Sequence, residues 1–181
     1  MDMDMKLILY QAIVMDEQHV GLGGFRRGDR LLNPVRIRVG SWNAGSLTSK
    51  SRELVDTLLK RKVNILCVQE TRWIRWRSED AVIIDDYKLW FSGSRVARNE
   101  VGIIIRHRYR NHVVGVDRCS DMIMSVRLVI QEETFVVISA YVPHAGLDED
   151  DKKHFWESLD EVVRRCPADH QSLLGETLMD I

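Results

Sequence analysis

Proline and cysteine are scarce in this chain, three of each among 181 residues. The cysteines, Cys67, Cys119 and Cys166, are odd in number, widely spaced and without a C-x-x-C pair. That pattern suggests neither a disulfide framework nor a zinc site. Eleven glycines and three prolines are too few for a low-complexity or collagen-like protein. Long apolar runs are also missing, and none approaches the ~18–20 residues that a membrane span needs. A secretory leader is not suggested either, because Asp2 and Asp4 precede the short apolar stretch 7–14, which Gln11 interrupts. The expected location is therefore intracellular, nuclear or cytoplasmic. G-x-S-x-G, H-E-x-x-H and Walker loops are absent, so serine hydrolase, zincin and NTPase chemistry has no support.

What is present suits one compact domain, with 45% hydrophobic and 29% charged residues. The net charge of −1 hides an uneven distribution. Residues 35–118 carry 17 Lys/Arg against nine Asp/Glu, while residues 119–181 carry five against 13. A basic middle balanced by an acidic end is what a phosphate-facing surface would give in a neutral protein. Chance clustering on solvated faces gives the same numbers.

Residues 1–34 read as a tail or short helix plus linker, and residues 35–181 as the domain. The glycines at 21–24 lack both a clear preceding strand and a following G-K-[ST], so a phosphate loop is not expected there. From 35, Ile37 and Val39 alternate with Arg36 and Arg38 in a strand that runs into Ser41-Trp42-Asn43. Gly45, Ser46 and Thr48 offer a turn and helix caps. Leu54, Val55, Leu58 and Leu59 then form an apolar stripe closed by Lys60-Arg61-Lys62. The apolar run 63–68 predicts a strand covered on both faces, parallel to the first and joined to it by a right-handed crossover. Strands follow around 82–84, 88–91, 102–106, 123–130 and 135–141. Asp148-Glu149-Asp150-Asp151 opens a helix whose apolar face is Phe155, Trp156, Leu159, Val162 and Val163. The order of elements predicts an α/β or α+β fold with a mixed sheet.

Two polar residues fall just after the parallel strands, Asn43 and Glu70. Ligands gather at the carboxyl ends of strands in open α/β sheets. A carboxylate beside an amide there is the hard-oxygen pair that suits Mg²⁺ facing a substrate phosphate. One Asn and one Glu are a weak signal alone, since a solvated Glu in such a turn is the commoner arrangement. The exact words add more: Ser41-Trp42-Asn43, Cys67-Val68-Gln69-Glu70-Thr71, Val101-Gly102-Ile103 and Ser139-Ala140-Tyr141-Val142-Pro143 stand in one order along the chain. Together they resemble the endonuclease/exonuclease/phosphatase superfamily, and more narrowly the LINE-type retrotransposon endonucleases and the craniofacial-development-protein-like group. The stretches 52–57 and 145–150 read like the same group. The resemblance covers roughly residues 35–175.

The resemblance implies a DNase-like four-layer sandwich, mixed sheets flanked by helices, and metal-assisted phosphodiester hydrolysis, with DNA as partner and Mg²⁺ (or Mn²⁺) as cofactor. Asn43 would help position the scissile phosphate and share the metal site, Glu70 would be the principal metal ligand, and Tyr141 would stabilise charge beside the phosphate. The sequence also departs from the family. Where Gly-Asp-x-Asn is expected it reads Gly175-Glu176-Thr177-Leu178-Met179. The Asp position falls on Thr177 and the Asn position on Met179, or a one-residue slip brings Glu176 to the Asp position. No Ser-Asp-His motif follows before Ile181, and Glu100 and Met122 stand where relatives have Gly and Arg. The resemblance therefore implies a C-terminally truncated domain, its closing strands missing and its metal binding weakened, inactive or nearly so. An exposed sheet edge prone to self-association should result. A non-catalytic nucleic-acid-binding module or a protein-interaction remnant is the alternative.

Arg72, Trp73, Arg75, Trp76 and Arg77 interleave bases with aromatics directly after Glu70, a pattern that suits phosphates and unstacked bases and equally suits a solvated loop. Arg106, Arg108 and Arg110 alternate as one basic face of a strand edge would. His107, His112, His144 and His154 have no partners at metal spacing and read as surface residues.

Overall fold

The computed structural model describes residues 8–14, 35–47, 50–72, 81–92, 101–142, 148–166 and 171–177, with backbone alone for 8–14, 35 and 171–177. Its elements in chain order are β1 (Ile8–Val14), β2 (Val35–Asn43), α1 (Ser51–Lys60), β3 (Ile65–Gln69), β4 (Ala81–Ile84), β5 (Tyr87–Phe91), β6 (Val101–Arg106), α2 (His107–Arg110), β7 (Val113–Ser120), β8 (Ile123–Ile130), β9 (Glu133–Tyr141), α3 (Glu149–Arg164) and β10 (Gln171–Thr177). They build two sheets, one of six strands in the order β1-β2-β3-β6-β5-β4 and one of four in the order β10-β9-β8-β7.

Burial follows the period-two rule of strands and sorts the core into three layers. Ile37, Val39, Ile65, Cys67, Ile103 and Ile105 of the first sheet meet Met124, Val126, Phe135 and Val137 of the second. The alternate residues of the first sheet, among them Leu66, Val68 and Ile104, pack under Leu54, Val55 and Leu58 of α1. Val136, Ile138 and Ala140 on the other face of β9 pack under Phe155, Leu159 and Val162 of α3. The order helix, sheet, sheet, helix is the four-layer mixed α/β sandwich expected. Each fully buried large side chain here stabilises the fold by about 1.5–3 kcal/mol, before entropy is set against it.

The β2-α1-β3 unit forms as expected, with β2 and β3 parallel. Lys62 sits at φ 56° just past α1, the left-handed position that ends many helices, and Val63 N–H donates to the Leu58 carbonyl. Asp148 caps α3 by accepting from the Asp151 N–H at 2.8 Å.

The structure corrects several expectations. Residues 8–14 are not tail but strand β1, pairing antiparallel with β2 along its whole length. An open strand edge is a row of unsatisfied N–H and C=O groups, and an apolar segment of the same chain satisfies it. The alternating Arg106, Arg108 and Arg110 are not one strand: the chain turns helical at His107, whose N–H donates to the Asp86 carbonyl at 2.6 Å, and Tyr109 is buried beneath the turn. The α1 N-cap is Lys50 without a side-chain cap, so Gly45 and Ser46 do not cap it, and Thr48 lies outside the described residues. Leu59, Trp156 and Val163 are 39%, 48% and 43% exposed, because each helix buries a stripe narrower than its apolar residues would allow.

Candidate active site

The site sits where the carboxyl ends of β2 and β3 in the first sheet meet that of β9 in the second. β2 ends at Asn43 and β3 at Gln69, and the pair is locked past its last ladder position by Ala44 N–H donating to the Gln69 carbonyl and Leu47 N–H to the Thr71 carbonyl, both at 2.9 Å. Glu70 then takes φ 52° and Arg72 φ 44°, left-handed conformations that cost a residue with a Cβ of order 1 kcal/mol. Two such residues flanking Thr71 turn the chain sharply off the end of β3. The Glu70 side chain remains 14% exposed.

Its carboxylate is held on three sides. Oε1 accepts from Asn43 Nδ2 at 3.0 Å and from the Tyr141 hydroxyl at 2.8 Å, and Oε2 lies 3.4 Å from the Arg72 guanidinium. Asn43 Oδ1 accepts from the Gly45 N–H at 3.0 Å, and Gly45 adopts φ 62° to present it. Both polar atoms of the Asn43 side chain are thus engaged within the chain, which makes it the residue that orients the carboxylate. Burial first, then the hydrogen bond to Glu70 and the charge of Glu70, push the Tyr141 phenol well above its ordinary range, so it stays a hydrogen-bond donor at neutral pH.

Of the three residues that the resemblance singled out, Asn43 and Tyr141 are therefore both hydrogen-bonded to Glu70. Arg72 joins them. Trp73, Arg75, Trp76 and Arg77 lie outside the described residues, as do His144 and Glu100. Sequence reasoning overlooked the buried pair beneath the site, in which Gln69 Nε2 donates to Ser41 Oγ at 3.3 Å. The available signal was a polar residue in each of two otherwise apolar strand ends.

The donor chemistry fits a divalent cation of the Mg²⁺ kind in a limited way. Mg²⁺ commonly takes one or two carboxylates and completes its shell with water and substrate phosphate. Glu70 supplies one hard carboxylate at an open strand end, and no cluster of three or more His, Cys, Asp or Glu adds to it among the described residues. In the backbone register of β10 against β9, Glu176 pairs with Ala140 and Thr177 with Tyr141. Ala140 lies on the face of β9 turned toward α3, and Tyr141 on the face turned toward the first sheet. A cavity of about 180 Å³ bounded by Cys119, Arg127 and Cys166 lies instead between α3 and the second sheet, away from Glu70.

The two packed sheets flanked by helices form a four-layer α/β sandwich, and solved structures share this fold. One is the endonuclease domain of TRAS1, a telomere-specific non-LTR retrotransposon: TM-score 0.54, 18% identity, covering 77% of this chain and 57% of that one. Another is TDP2 from D. rerio complexed with a single-strand DNA product: TM-score 0.57, 13% identity, covering 80% of this chain and 62% of that one. These neighbours are members of the endonuclease/exonuclease/phosphatase superfamily, whose fold this chain has. Among curated proteins the chain is similar to craniofacial development protein 2 of Bos taurus, 26% identical over 131 residues, 71% of this chain. The match spans 22% of that protein's length. No family model matches the chain.

Proposed function

We propose that this chain is a phosphodiester-hydrolase-like domain that retains the metal- and phosphate-positioning part of a nuclease site and, as these 181 residues, hydrolyses DNA slowly or not at all. The observation that carries the first half is the Glu70 carboxylate, held by Asn43 from one sheet end and Tyr141 from the other. Glu70 would hold Mg²⁺ or Mn²⁺, which when bound offsets negative charge on phosphoryl oxygens. Asn43 keeps the carboxylate aimed. The Tyr141 phenol, protonated, donates its one O–H to Glu70, joins the ends of β3 and β9 and holds the carboxylate beside its own hydroxyl oxygen. The Arg72 guanidinium, 61% exposed, offers a phosphate a charged donor beside the carboxylate.

Support for the second half comes from β10. The register position in line with Tyr141 is Thr177, which carries no carboxylate, and Glu176 is in line with Ala140 on the other face. Among the described residues no imidazole stands with Glu70; His107, His112 and His154 belong to α2, the turn after it and α3. A general base and a charge-stabilising group each contribute about 10²–10⁴-fold to such a reaction. DNA is the proposed substrate class, favoured by the fold shared with a protein solved on a single-strand DNA product.

The test is a supercoiled-plasmid nicking assay with Mg²⁺, beside Glu70→Ala and an EDTA control. The expected result is nicking at or near background, the trace above background removed by either control. Vigorous nicking that both controls abolish would overturn the impairment. Nicking that survives Glu70→Ala would overturn the site.

A further inference from the structure

Among the described residues, a group of Arg and Lys gathers at one end of the first sheet, the end away from Glu70. β2 begins there with Arg36 and Arg38, and α1 ends there with Lys60-Arg61-Lys62. β6 ends there in Arg106 and α2. Hydrogen bonds tie these segments together. Asn64 N–H donates to the Arg38 carbonyl at 2.8 Å, Arg106 N–H to the Asn64 carbonyl at 2.9 Å, and Arg38 Nη1 to the Arg61 carbonyl at 2.7 Å. Strand rise separates Arg36 from Asn43 by roughly 23 Å.

The cations at this end differ from those of α3 in their partners. On α3, Lys152, Lys153, Arg164 and Arg165 each pair with a carboxylate of the same helix. At the sheet end Arg106 pairs with Asp86, but Arg36, Lys60, Arg61, Lys62, Arg108 and Arg110 have no carboxylate within salt-bridge distance among the described residues. Arg108 is held in place over the ring of buried Tyr109, 4.6 Å from its centroid. Among the described residues the acidic groups at or near this end are Asp56 on α1, Asp85 and Asp86, with Glu132 and Glu133 at the β8–β9 turn of the second sheet. Counted over the described residues, the basic groups outnumber them.

We propose that this basic end is a second nucleic-acid-binding surface that holds the phosphate backbone independently of base sequence and apart from the Glu70 site. Clustered exposed Arg and Lys with few opposing carboxylates are the electrostatic footprint of phosphate binding, which releases condensed counterions. An anionic membrane is the poorer partner. The apolar stripe of α1 is buried against the first sheet, and Leu59 is the one partly exposed large apolar side chain on that helix, so little can insert between lipids. The proposal goes beyond the catalytic reading and does not depend on any cleavage.

The experiment is fluorescence anisotropy of the full chain with a labelled 20-nucleotide duplex and its single strand across a salt series. One variant replaces Arg36, Lys62, Arg108 and Arg110 with Gln. A second replaces Lys152, Lys153, Arg164 and Arg165 with Gln and so changes the net charge equally. The first should lose at least tenfold in affinity, and its slope of log affinity against log salt should shrink by about two or more, given ~0.9 per phosphate contact on duplex DNA. The second should stay within about twofold. Equal losses in both variants, wild-type affinity in the first, or no binding by the unmodified chain would overturn the proposal. So would binding to phosphatidylserine vesicles without binding to either oligonucleotide. Two half-variants, Arg36→Gln with Lys62→Gln and Arg108→Gln with Arg110→Gln, each checked by near-UV circular dichroism, keep the test decisive should the fourfold variant misfold.

Discussion

The Tyr141 hydroxyl donates a 2.8 Å hydrogen bond to Oε1 of Glu70, linking the end of β9 in one sheet to the residue after β3 in the other. The bond spans 71 positions of sequence and ties the site to the packing of the sandwich. In the proposed function, the site and the stability of the fold therefore share a residue.

Tyr141→Phe should cost about 1.5–3 kcal/mol, the usual worth of a hydrogen bond to a charged group. Its pH dependence has a definite sign. The folded phenol keeps its proton at pH values where the unfolded one, titrating near 10, has released it. Its stabilisation is complete below about pH 10 and is lost as pH rises through the folded value. Urea midpoints from pH 8 to 11 should fall more steeply for the unmodified chain than for the Phe variant. Parallel curves would refute the assignment.

Gly102 and Gly45 should respond to alanine for different reasons. A Cβ at Gly102 would lie 2.8 Å from Leu89 Cδ1, 3.0 Å from Val68 Cγ1 and 3.1 Å from the Trp90 carbonyl oxygen. Gly102→Ala should destabilise by about 1–3 kcal/mol through overpacking. At Gly45 nothing lies within 4 Å, but φ is 62°. Gly45→Ala should cost about 1 kcal/mol through backbone strain alone. Thermal unfolding of both distinguishes them: Gly45→Asn should recover most of the loss, and Gly102→Asn should be worse than Gly102→Ala.

Ser139 is fully buried, and its hydroxyl has no hydrogen-bond partner among the described residues. An unsatisfied buried hydroxyl carries a desolvation cost. Ser139→Ala should therefore be neutral or stabilising by up to about 1 kcal/mol in urea unfolding. A loss above 1 kcal/mol would show that the hydroxyl is satisfied after all.

Removing residues 1–14 should uncover the backbone edge of β2, which β1 covers over seven register positions. An open edge is a template for pairing with another chain. In size-exclusion chromatography with light scattering, the shortened chain should associate at lower concentration than the full one. Identical elution across the concentration series would mean that β1 does not protect the edge.

The elements readable from the sequence were the β2-α1-β3 unit, the strands around 82–84, 88–91, 102–106, 123–130 and 135–141, and α3 with its acidic start. The overlooked elements are β1, β7 and β10, each at the edge of a sheet. An edge strand is paired on one side only, and β7 is also largely open to solvent, with Asp117, Arg118 and Cys119 exposed along it. Its residues carry a blurred alternation. The Arg106–Arg110 alternation misled because strand and helical turn can share a short polar pattern, and burial of Tyr109 decided between them.

At the site the division is similar. Sequence by itself determined which side chains are present: one carboxylate at Glu70, an amide at Asn43, a phenol at Tyr141, and an uneven charge along the chain. It did so because residue type and order are local properties. Tertiary structure alone decided that those three side chains meet, that both polar atoms of Asn43 are engaged, and that the basic ends of β2, α1 and β6 share the end of the sheet away from Glu70. Those outcomes depend on strand direction and register between segments tens of residues apart, which are set when the two sheets pack and which no local pattern encodes.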